Sequence, residues 1–382
     1  MPPVLPGSTL GILGGGQLGR MFALEAKRMG YRVITLEPSA DSPCGQVADE
    51  QIQAEYSDET ALRTLAGRCQ AITYEFENID ARAVEFLESL GQAVHPNSRV
   101  LRVSQDRLLE KTFLRDAGLG VTAFQAVDSA AELRMAADTI GLPAVIKTVR
   151  GGYDGKGQAV VSDFAAAEAA FKKLHRGPGS PLIWEKKVAF VKELSVMACR
   201  GQDGSATAYP VSENVHVDNI LDTGTVPARV SPAVAAKARA MAEAVGDGLG
   251  IVGAYCVELF LDAQDNLLVN EIAPRPHNSG HYTLDACFCS QFEQQVRAMC
   301  GLPLGSTAIL KPSVMVNILG DGTGDTLRGV ESVMREPGLA FHLYGKAQAA
   351  AKRKMGHFTV LGESAEEAMA KAKEARAKLR WG

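Results

Sequence analysis

Residues 255–283, YCVELFLDAQDNLLVNEIAPRPHNSGHYT, contain two strand-like runs on either side of the polar turn DAQDN. This pattern predicts a β-hairpin. A turn centred between Gln264 and Asp265 places Glu258 directly opposite Glu271. Two facing carboxylates, with Cβ atoms roughly 4.5–5.5 Å apart, repel each other. Either they are solvated surface groups, or a divalent cation such as Mg²⁺ lies between them and a polyphosphate, because hard carboxylate oxygens suit that ion.

The residues beside this pair strengthen the second interpretation. Asn270 offers a neutral oxygen next to Glu271, although strict alternation turns it to the other face unless a bulge or a strand end brings it round. The continuation PRPHNSGH is basic and rich in amide groups. Arg275, His277 and Asn278 are therefore candidates for binding a small planar anion, with Arg275 acting as a bidentate fork.

A second stretch, KTVRGGYDGKGQ at residues 147–158, also indicates an anion site. It combines several glycines with a lysine on each side of the glycine cluster. A backbone without side chains can approach an anion closely, and phosphate is the first expectation. The P-loop pattern does not fit, because Gly157 follows Lys156 where Ser or Thr is needed.

Length, composition and charge narrow the class of protein. The chain has 382 residues, 46% of them hydrophobic, and a net charge of −4, which predicts two or three domains and gives no nucleic-acid or membrane-surface footprint. No apolar run approaches 18 residues, and the first residues do not have the pattern of a signal peptide. The seven cysteines form no C-x-x-C pair. We expect a soluble cytoplasmic protein with reduced thiols, without nucleic-acid or membrane partners.

The order of predicted elements suggests three domains. Strands and helices alternate over the first hundred residues, which predicts an α/β fold with a parallel, doubly wound sheet. Residues 98–118 form one long helical stretch that ends at Gly118. From about residue 311, three strand-like runs and an Ala/Glu/Lys-rich helix predict a small separate sheet. We place the domains at 1–98, 99–310 and 311–382.

The glycine motif GGGQLG at residues 14–19 admits two interpretations. It matches G-x-G-x-x-G between a strand and a helix, and Glu37 ends the next strand, as in dinucleotide-binding folds. An NAD-dependent oxidoreductase is one interpretation, and a tight strand-to-helix turn is the other. The oxidoreductase leaves both the Glu258/Glu271 hairpin and the 147–158 loop unexplained.

Taken together, the motifs resemble the ATP-grasp superfamily and, within it, the 5-(carboxyamino)imidazole ribonucleotide synthase family. The motifs are GILGGGQLGRM, TYEFEN, QDRLLEKTFL, IKTVRGGYDGKGQ, VELF with VNEIAPRPHNSGHYT, and YGK with RKMGH. The resemblance implies a Rossmann-like N-terminal domain, a central ATP-grasp domain with a mobile lid lobe at about 148–215, and a small C-terminal domain. It also implies a homodimer.

The implied activity is that of an ATP-dependent carbon–nitrogen ligase of de novo purine (IMP) biosynthesis. It converts 5-aminoimidazole ribonucleotide, bicarbonate and ATP into 5-(carboxyamino)imidazole ribonucleotide, ADP and phosphate through carboxyphosphate, with Mg²⁺ or alternatively Mn²⁺. Two further classes stay open: an ATP-dependent glycinamide ribonucleotide formyltransferase, and a non-catalytic nucleotide-binding regulator on the same scaffold.

The resemblance also assigns residues to each ligand. The ATP site comprises Arg107, Lys147, Gly152, Tyr153, Asp154, Gly155, Lys156, Gly157, Gln158, Glu185, Lys186, Lys187, Val188, Glu193, His216, Asn270 and Glu271, with residues 185–188 as the adenine hinge. The nucleotide substrate would contact Gln17, Glu75, Tyr153, Lys156, Lys346, Arg353 and Lys354. The catalytic residues would be Arg275, His277, Asn278 and Lys346, and the metal ligands Glu258 and Glu271.

The C-terminal phosphate segment departs from the family pattern. It reads GKAQAAAKRKMGH, with alanines where relatives usually carry another arginine and with one apparent insertion. Lys352 is the candidate to replace that charge.

Overall fold

The computed structural model describes residues 2–152 and 155–382, so the predicted site residues Tyr153 and Asp154 lie outside the described residues. The N-terminal part begins with a sheet and its helices. Its elements are β1 (Thr9–Leu13), α1 (Gln17–Arg28), β2 (Arg32–Leu36), β3 (Glu50–Ile52), α2 (Glu59–Arg68), β4 (Ala71–Tyr74) and α3 (Ala81–Ser89). The strand order is β3-β2-β1-β4, and all pairs are parallel.

This sheet confirms the predicted alternation, with two differences in detail. Strand β3 is polar and short, and the sequence analysis missed it. The predicted strand AVHPN contributes only an isolated bridge between Ile72 and Val94. The apolar runs of β1 and β4 are buried between helices, as expected for parallel strands covered on both faces.

The predicted long helix after residue 98 consists of two helices, α4 (Ser98–Ser104) and α5 (Arg107–Asp116). The break occurs because the carboxylate of Asp106 accepts hydrogen bonds from the N–H groups of Leu108 and Leu109, both at 3.1 Å, and so starts a new helix. Gly118 has a φ of +72° and ends this stretch as predicted.

A small lobe follows. It contains β5 (Phe124–Val127), α6 (Ala130–Thr139), β6 (Ala144–Thr148), β7 (Gln158–Val161), α7 (Phe164–Leu174) and β8 (Leu182–Lys186). Its antiparallel sheet has the order β5-β8-β6-β7. We expected a lid lobe at about 148–215, but the lobe that the topology separates runs from Phe124 to Lys186, because the strands after residue 189 join a different sheet.

That larger sheet carries the hairpin quoted above. Its first elements are β9 (Phe190–Arg200), β10 (Ala206–Ala208), β11 (Ser212–Val217), β12 (Ile220–Val226), α8 (Pro232–Leu249), β13 (Gly253–Asp262) and β14 (Leu267–Ala273). A 3₁₀ turn (Asn278–Gly280), α9 (Thr283–Ala286) and α10 (Gln291–Met299) follow. The order is β14-β13-β9-β11-β12, with β10 paired to β9, so β14 is an edge strand.

The three longer C-terminal strands extend this sheet. The last elements are β15 (Ser313–Leu319), β16 (Leu327–Arg328), α11 (Val330–Val333), β17 (Leu339–Leu343), β18 (Lys354–Leu361), α12 (Ala365–Lys378) and β19 (Arg380–Trp381). Strand β15 pairs with β12, and β18 and β17 continue outward, while β16 and β19 pair separately. The expectation of a separate small sheet was therefore wrong, and the continuous sheet brings C-terminal side chains beside the central ones.

No helix among the described residues combines the length and the apolar character that a membrane span requires.

Candidate active site

The predicted carboxylate pair lies on the β13–β14 hairpin, where Glu258 is paired with Glu271. Near the turn, however, Leu261 pairs with Leu267, so the turn is centred on Gln264 and the predicted centre was half a residue off. A β-bulge next to Glu258 restores the predicted pairing. The bulge also explains Asn270, whose amide nitrogen lies 3.4 Å from an oxygen of Glu258, as a bulge was expected to allow.

The electrostatics of this pair fit a divalent cation. Burial and the nearby charge of Glu271 raise the pKa of Glu258 to about 7. The two carboxylates therefore repel each other in the protein alone, and a hard cation would relieve that repulsion. Carboxylate and amide oxygens together are the donors that Mg²⁺ prefers, so the residues present fit this ion.

Another group of potential ligands, Asp285, His342 and His357, lies away from the hairpin. Here His342 Nε2 is 2.9 Å from Asp285 Oδ2, and the rings of His342 and His357 stack with centroids 4.5 Å apart. These contacts join α9 to β17 and β18, and we interpret the group as packing between the central and C-terminal elements.

The anion-binding candidates follow β14 directly. The Arg275 Nε–H donates to Glu77, and Nη1 donates to the carbonyl of Pro276 at 3.0 Å. Part of the Arg275 guanidinium that was expected to bind an anion in bidentate fashion therefore already donates hydrogen bonds within the protein. An anion would bind to its Nη groups. Gln291 fixes the loop through two hydrogen bonds to the backbone of His277, at 2.8 and 2.9 Å.

Asn278 shows where a ligand would fit. Its side chain is 7% exposed, and neither the amide nitrogen nor the amide oxygen has a partner among the described residues. A buried amide without partners costs about 1–3 kcal/mol. Since native proteins satisfy nearly all buried polar groups, this amide is suited to receive hydrogen bonds from, and donate them to, a bound molecule.

His277 is placed beside the carboxylate pair as a neutral imidazole. Its Nε2 lies 3.4 Å from Glu258, and its Nδ1 lies 2.9 Å from the hydroxyl of Ser279. Burial, together with the positive charges of Arg275 and Lys354, lowers its pKa well below the usual value. Lys354 of the C-terminal strands therefore acts at the same site as the central hairpin.

The 147–158 loop leaves β6 and returns in β7. Gly151, Gly155 and Gly157 have φ between +74° and +78°, which favours glycine. Arg107, at the start of α5, donates to the carbonyl oxygens of Thr148 at 3.0 Å and Gly152 at 2.9 Å. Arg107 thus shapes the loop, and its contact with phosphate stays a prediction. Lys156 is exposed, and Gln158 begins β7.

Lys147 lies at the base of this loop in a buried ion pair. Its Nζ is 2.9 Å from an oxygen of Glu185. Burial alone would raise the pKa of the Glu185 carboxyl, but Lys111 and Lys147 outweigh it and hold that pKa below its usual value. Lys147 and Lys111 therefore share the negative charge of Glu185.

Within residues 185–188, the predicted adenine hinge, several backbone groups already have partners in the protein. The backbone N–H groups of Lys186 and Lys187 donate to Ala123 and Pro143, and the carbonyl of Lys186 accepts from Thr122 at 2.7 Å. Among the described residues, the N–H of Val188 donates to no other group. The N–H of Val188 is thus a backbone donor of this segment that a base edge could meet.

The predicted ribose and nucleotide positions, Glu193 on β9 and His216 on β11, lie together. His216 Nδ1 is 2.7 Å from an oxygen of Glu193. Although burial lowers the pKa of His216, the bond to Glu193 outweighs it and the pKa is raised. The charge of Glu258 adds to this rise, so these residues and the hairpin share one site.

The N-terminal glycine turn is filled by the protein itself. Glu75 accepts hydrogen bonds from the N–H groups of Gly16 and, at 2.7 Å, Gly19, and Glu37 accepts from Gly15 at 2.8 Å. A Cβ on Gly14 would lie 2.3 Å from the Glu75 side chain. The interpretation as a tight turn is confirmed. The oxidoreductase hypothesis fails, because a pyrophosphate would need the N–H groups that these carboxylates occupy.

A lysine of the C-terminal segment, Lys346, contacts a residue of this glycine turn, Gln17. Lys346 Nζ donates to the side chain of Gln17 at 2.5 Å and to the carbonyl of Lys354 at 2.6 Å. Burial and the charge of Arg353 lower the pKa of Lys346 to about 8. Arg353 is exposed and donates to the carbonyl of Gln348 at 3.1 Å.

Lys352 has a different partner from the one expected. Its Nζ is 3.0 Å from Asp218, on the turn between β11 and β12, and both side chains are about two-thirds exposed. The structure therefore uses this lysine in a surface pair, and the suggestion that it replaces the missing arginine finds no support.

Two buried charged residues, Glu110 and Lys111, were not predicted from the sequence, and neither was Glu77, the half-buried partner of Arg275. Glu110 and Lys111 are 3% and 2% exposed. A signal existed, because Arg107, Glu110, Lys111 and Leu114 recur at the spacing of one helix face, and Leu114 marks that face as buried.

Comparisons with known proteins agree with this geometry. The chain matches the ribonucleotide synthetase preATP-grasp domain over residues 8–105, the ATP-grasp domain over 112–292, and the phosphoribosylaminoimidazole carboxylase C-terminal domain over 313–371. It is 47% identical over 369 residues to the N5-carboxyaminoimidazole ribonucleotide synthase of Bacillus subtilis (strain 168), covering 95% of this chain and 94% of the relative.

Solved structures are similar over nearly the whole chain. An N5-carboxyaminoimidazole ribonucleotide synthetase in complex with ADP superimposes with a TM-score of 0.92 at 46% identity, covering 98% of each chain. An N5-carboxyaminoimidazole synthase from Aspergillus clavatus, in complex with ADP and 5-aminoimidazole ribonucleotide, superimposes with a TM-score of 0.89 at 32% identity, covering 97% of this chain and 98% of the other.

Proposed function

The chain belongs to the N5-carboxyaminoimidazole ribonucleotide synthase family of ATP-grasp ligases, and we propose how its residues carry out that family's reaction. The enzyme carboxylates 5-aminoimidazole ribonucleotide with bicarbonate at the expense of ATP, in purine biosynthesis. The observation that carries the mechanism is the bulged pair of Glu258 and Glu271, next to the unpartnered amide of Asn278.

ATP would lie between the small lobe and the large sheet. Lys147 and Arg107 would contact the phosphates from the base of the glycine loop, and the N–H of Val188 would donate to adenine. Glu193, already paired with His216, is suited to accept hydrogen bonds from ribose hydroxyls. Gly151, Gly155 and Gly157 would allow the backbone there to close over the phosphates, because glycine tolerates large changes in φ and ψ.

Glu258 and Glu271, with the side chain of Asn270 beside them, would hold the Mg²⁺, or Mn²⁺ in its place. When bound, this cation would neutralise charge on the transferring phosphoryl group. The protein's own residues position the reactants and stabilise charge, so no covalent enzyme intermediate is needed.

The bicarbonate oxygen would attack the γ-phosphorus in line, giving ADP and carboxyphosphate. The Nη groups of Arg275 and the amide of Asn278 would hold this anion. His277, kept neutral, contributes hydrogen bonding without adding charge. Carboxyphosphate is labile in water, so closure of the glycine loop would protect it. The exocyclic amine of the ribonucleotide would then attack its carboxyl carbon, which forms the new C–N bond, breaks the C–O bond to phosphate and releases inorganic phosphate.

The ribonucleotide would bind between the N-terminal turn and the C-terminal strands. Lys346, Arg353 and Lys354 would hold its 5′-phosphate, and Gln17 and Lys156 would contact the rest. Glu75 acts on this substrate indirectly, because both of its oxygens accept from the backbone of α1 and it is 8% exposed. The contacts of Tyr153 and Asp154 stay predictions from the sequence.

Three further proposals rest on the sequence and the family. The protein is a homodimer, it is cytoplasmic, and its domains divide near residues 98 and 310. Light scattering of the purified protein tests the first of these directly.

The proposed function is tested by measuring ADP release in bicarbonate buffer with and without 5-aminoimidazole ribonucleotide. We expect strong stimulation by the nucleotide, and we expect Glu271→Gln to lose it by about 10²–10³-fold or more. Asp265→Asn is the matched control, since it removes a carboxylate from the exposed turn of the same hairpin.

Other outcomes would assign the protein elsewhere. Activity with glycinamide ribonucleotide and formate, but none with the aminoimidazole nucleotide, would identify the formyltransferase. ATP binding without turnover of any nucleotide would identify a regulator.

A further inference from the structure

The β-bulge that brings Glu271 opposite Glu258 lies on an edge strand. Strand β14 is the last strand of the large sheet, so among the described residues one side of its backbone meets no neighbouring strand and forms only an isolated bridge between Val269 and Val121. Unpaired N–H and C=O groups on such an edge are costly when they are buried, and they also leave the strand register weakly fixed. Helix α5 and the segment after it cover this edge.

Two adjacent side chains of α5 make the covering contacts. Lys111 Nζ donates to the carbonyl oxygens of Val269 at 3.1 Å and Asn270 at 2.8 Å. A carboxylate oxygen of Glu110 accepts from the N–H of Ile272 at 3.0 Å. The N–H of Val269 donates to Gly120 at 2.7 Å.

These contacts match the bulged strand and not a regular one. In a regular strand, the backbone groups on one edge belong to every second residue, so Val269 would be followed by Glu271. Here the contacts pass from residue 269 to residues 270 and 272. The contacts change from an odd to an even position because the bulge adds one residue, Asn270. Lys111 contacts the backbone before and at this residue, and Glu110 contacts the backbone after it.

We propose that Glu110 and Lys111 are positioning residues that hold the Asn270 bulge and thereby set the carboxylate pair for the divalent cation. Neither residue touches substrate. Without the bulge, the register would slip by one residue and Glu271 would turn to the opposite face of the sheet. The inference deepens the proposed function, since it rests on Glu258 and Glu271 as the metal ligands.

Lys111→Met tests this proposal, because methionine keeps the length of the side chain and removes both hydrogen bonds. The readout is the Mg²⁺ concentration that gives half of the maximal ADP binding. We expect it to rise about 10–100-fold, as for other residues that orient metal ligands, while ADP binding at saturating Mg²⁺ is retained. ADP binding does not require turnover, so this test stands even if the aminoimidazole nucleotide proves not to be the substrate.

Tyr255→Phe is the matched control. Tyr255 is also fully buried, and its hydroxyl donates to the carbonyl of Ala242 at 3.0 Å. Its loss lowers the thermal unfolding temperature and leaves the Mg²⁺ midpoint unchanged. A folded Lys111→Met protein whose Mg²⁺ midpoint stays within twofold of the wild type would overturn the proposal.

A second pair of variants decides the matter if Lys111→Met does not fold. Glu110→Ala and Glu110→Gln both remove the carboxyl group, but glutamine keeps an oxygen that can accept from the N–H of Ile272. The Mg²⁺ midpoint should rise in the alanine variant and return toward the wild-type value in the glutamine variant. Equal midpoints in the two variants would contradict the positioning role.

Discussion

Two glycine-rich loops of this chain give the same sequence signal for an anion, and the structure uses them in opposite ways. At residues 14–19, the carboxylates of Glu37 and Glu75 take the N–H groups of the turn. Near Gly151, Gly152, Gly155 and Gly157, Arg107 donates to the carbonyl of Gly152, and Lys147 at the base of the loop pairs with the distant Glu185. A high glycine content therefore indicates where another group can approach the backbone closely. The charged side chains of distant segments decide whether that group is a carboxylate of the protein or a bound anion.

The largest expected effect comes from removing the charge of Lys147, at the base of the 147–158 loop. Lys147→Met should lower kcat/KM for ATP by about 10²–10³-fold, because preorganised charge at a transferring phosphoryl group is lost. The coupled ADP assay measures it.

Lys192→Met is the matched control, since Lys192 also pairs with a glutamate, Glu213, at 2.8 Å. Arg229 continues to neutralise Glu213 in that variant, so activity should be unchanged. An equal loss of kcat/KM in both variants would mean that Lys147 acts only through its structural ion pair with Glu185. The two glycine-rich loops would then not differ in function.

A substitution at the glycine turn of residues 14–19 should change the stability of the protein. Glu75→Gln replaces one acceptor oxygen by an NH₂ group facing an N–H donor, which should lower the free energy of unfolding by about 1–3 kcal/mol. Urea denaturation, read from the midpoint at constant m-value, measures the change. Glu55→Gln, an exposed carboxylate of the same domain, is the control. Full stability in Glu75→Gln would show that the turn does not depend on its own carboxylate.

The smallest expected effect concerns the charge of Lys346, which lies beside the glycine turn at residues 14–19. The pKa of Lys346 is lowered to about 8 by burial and by Arg353, and the protonated form is the one that attracts phosphate. We therefore expect kcat/KM for the aminoimidazole nucleotide to be constant below pH 8 and to fall about tenfold per pH unit above it.

Lys346→Arg supplies the check on that assignment, since an arginine keeps its charge throughout this range. The fall above pH 8 should disappear in that variant. A wild-type profile that stays flat to pH 9.5 would exclude Lys346 as the titrating group.

Local patterns determined much of this protein. The alternation of strands and helices gave the parallel N-terminal sheet, and the polar turn of residues 262–266 gave the hairpin with Glu258 opposite Glu271. Such features are encoded by the period of side chains along one segment, which the sequence displays directly.

Tertiary structure alone decided the features that depend on pairing between distant segments. The C-terminal strands join the large sheet through β12 and β15, and the N-terminal turn is filled by Glu37 and Glu75. Lys111 reaches the bulge of β14 across 158 residues of sequence. No period along the chain records which backbone groups meet at such distances, because hydrogen-bond partners are chosen by the packed fold.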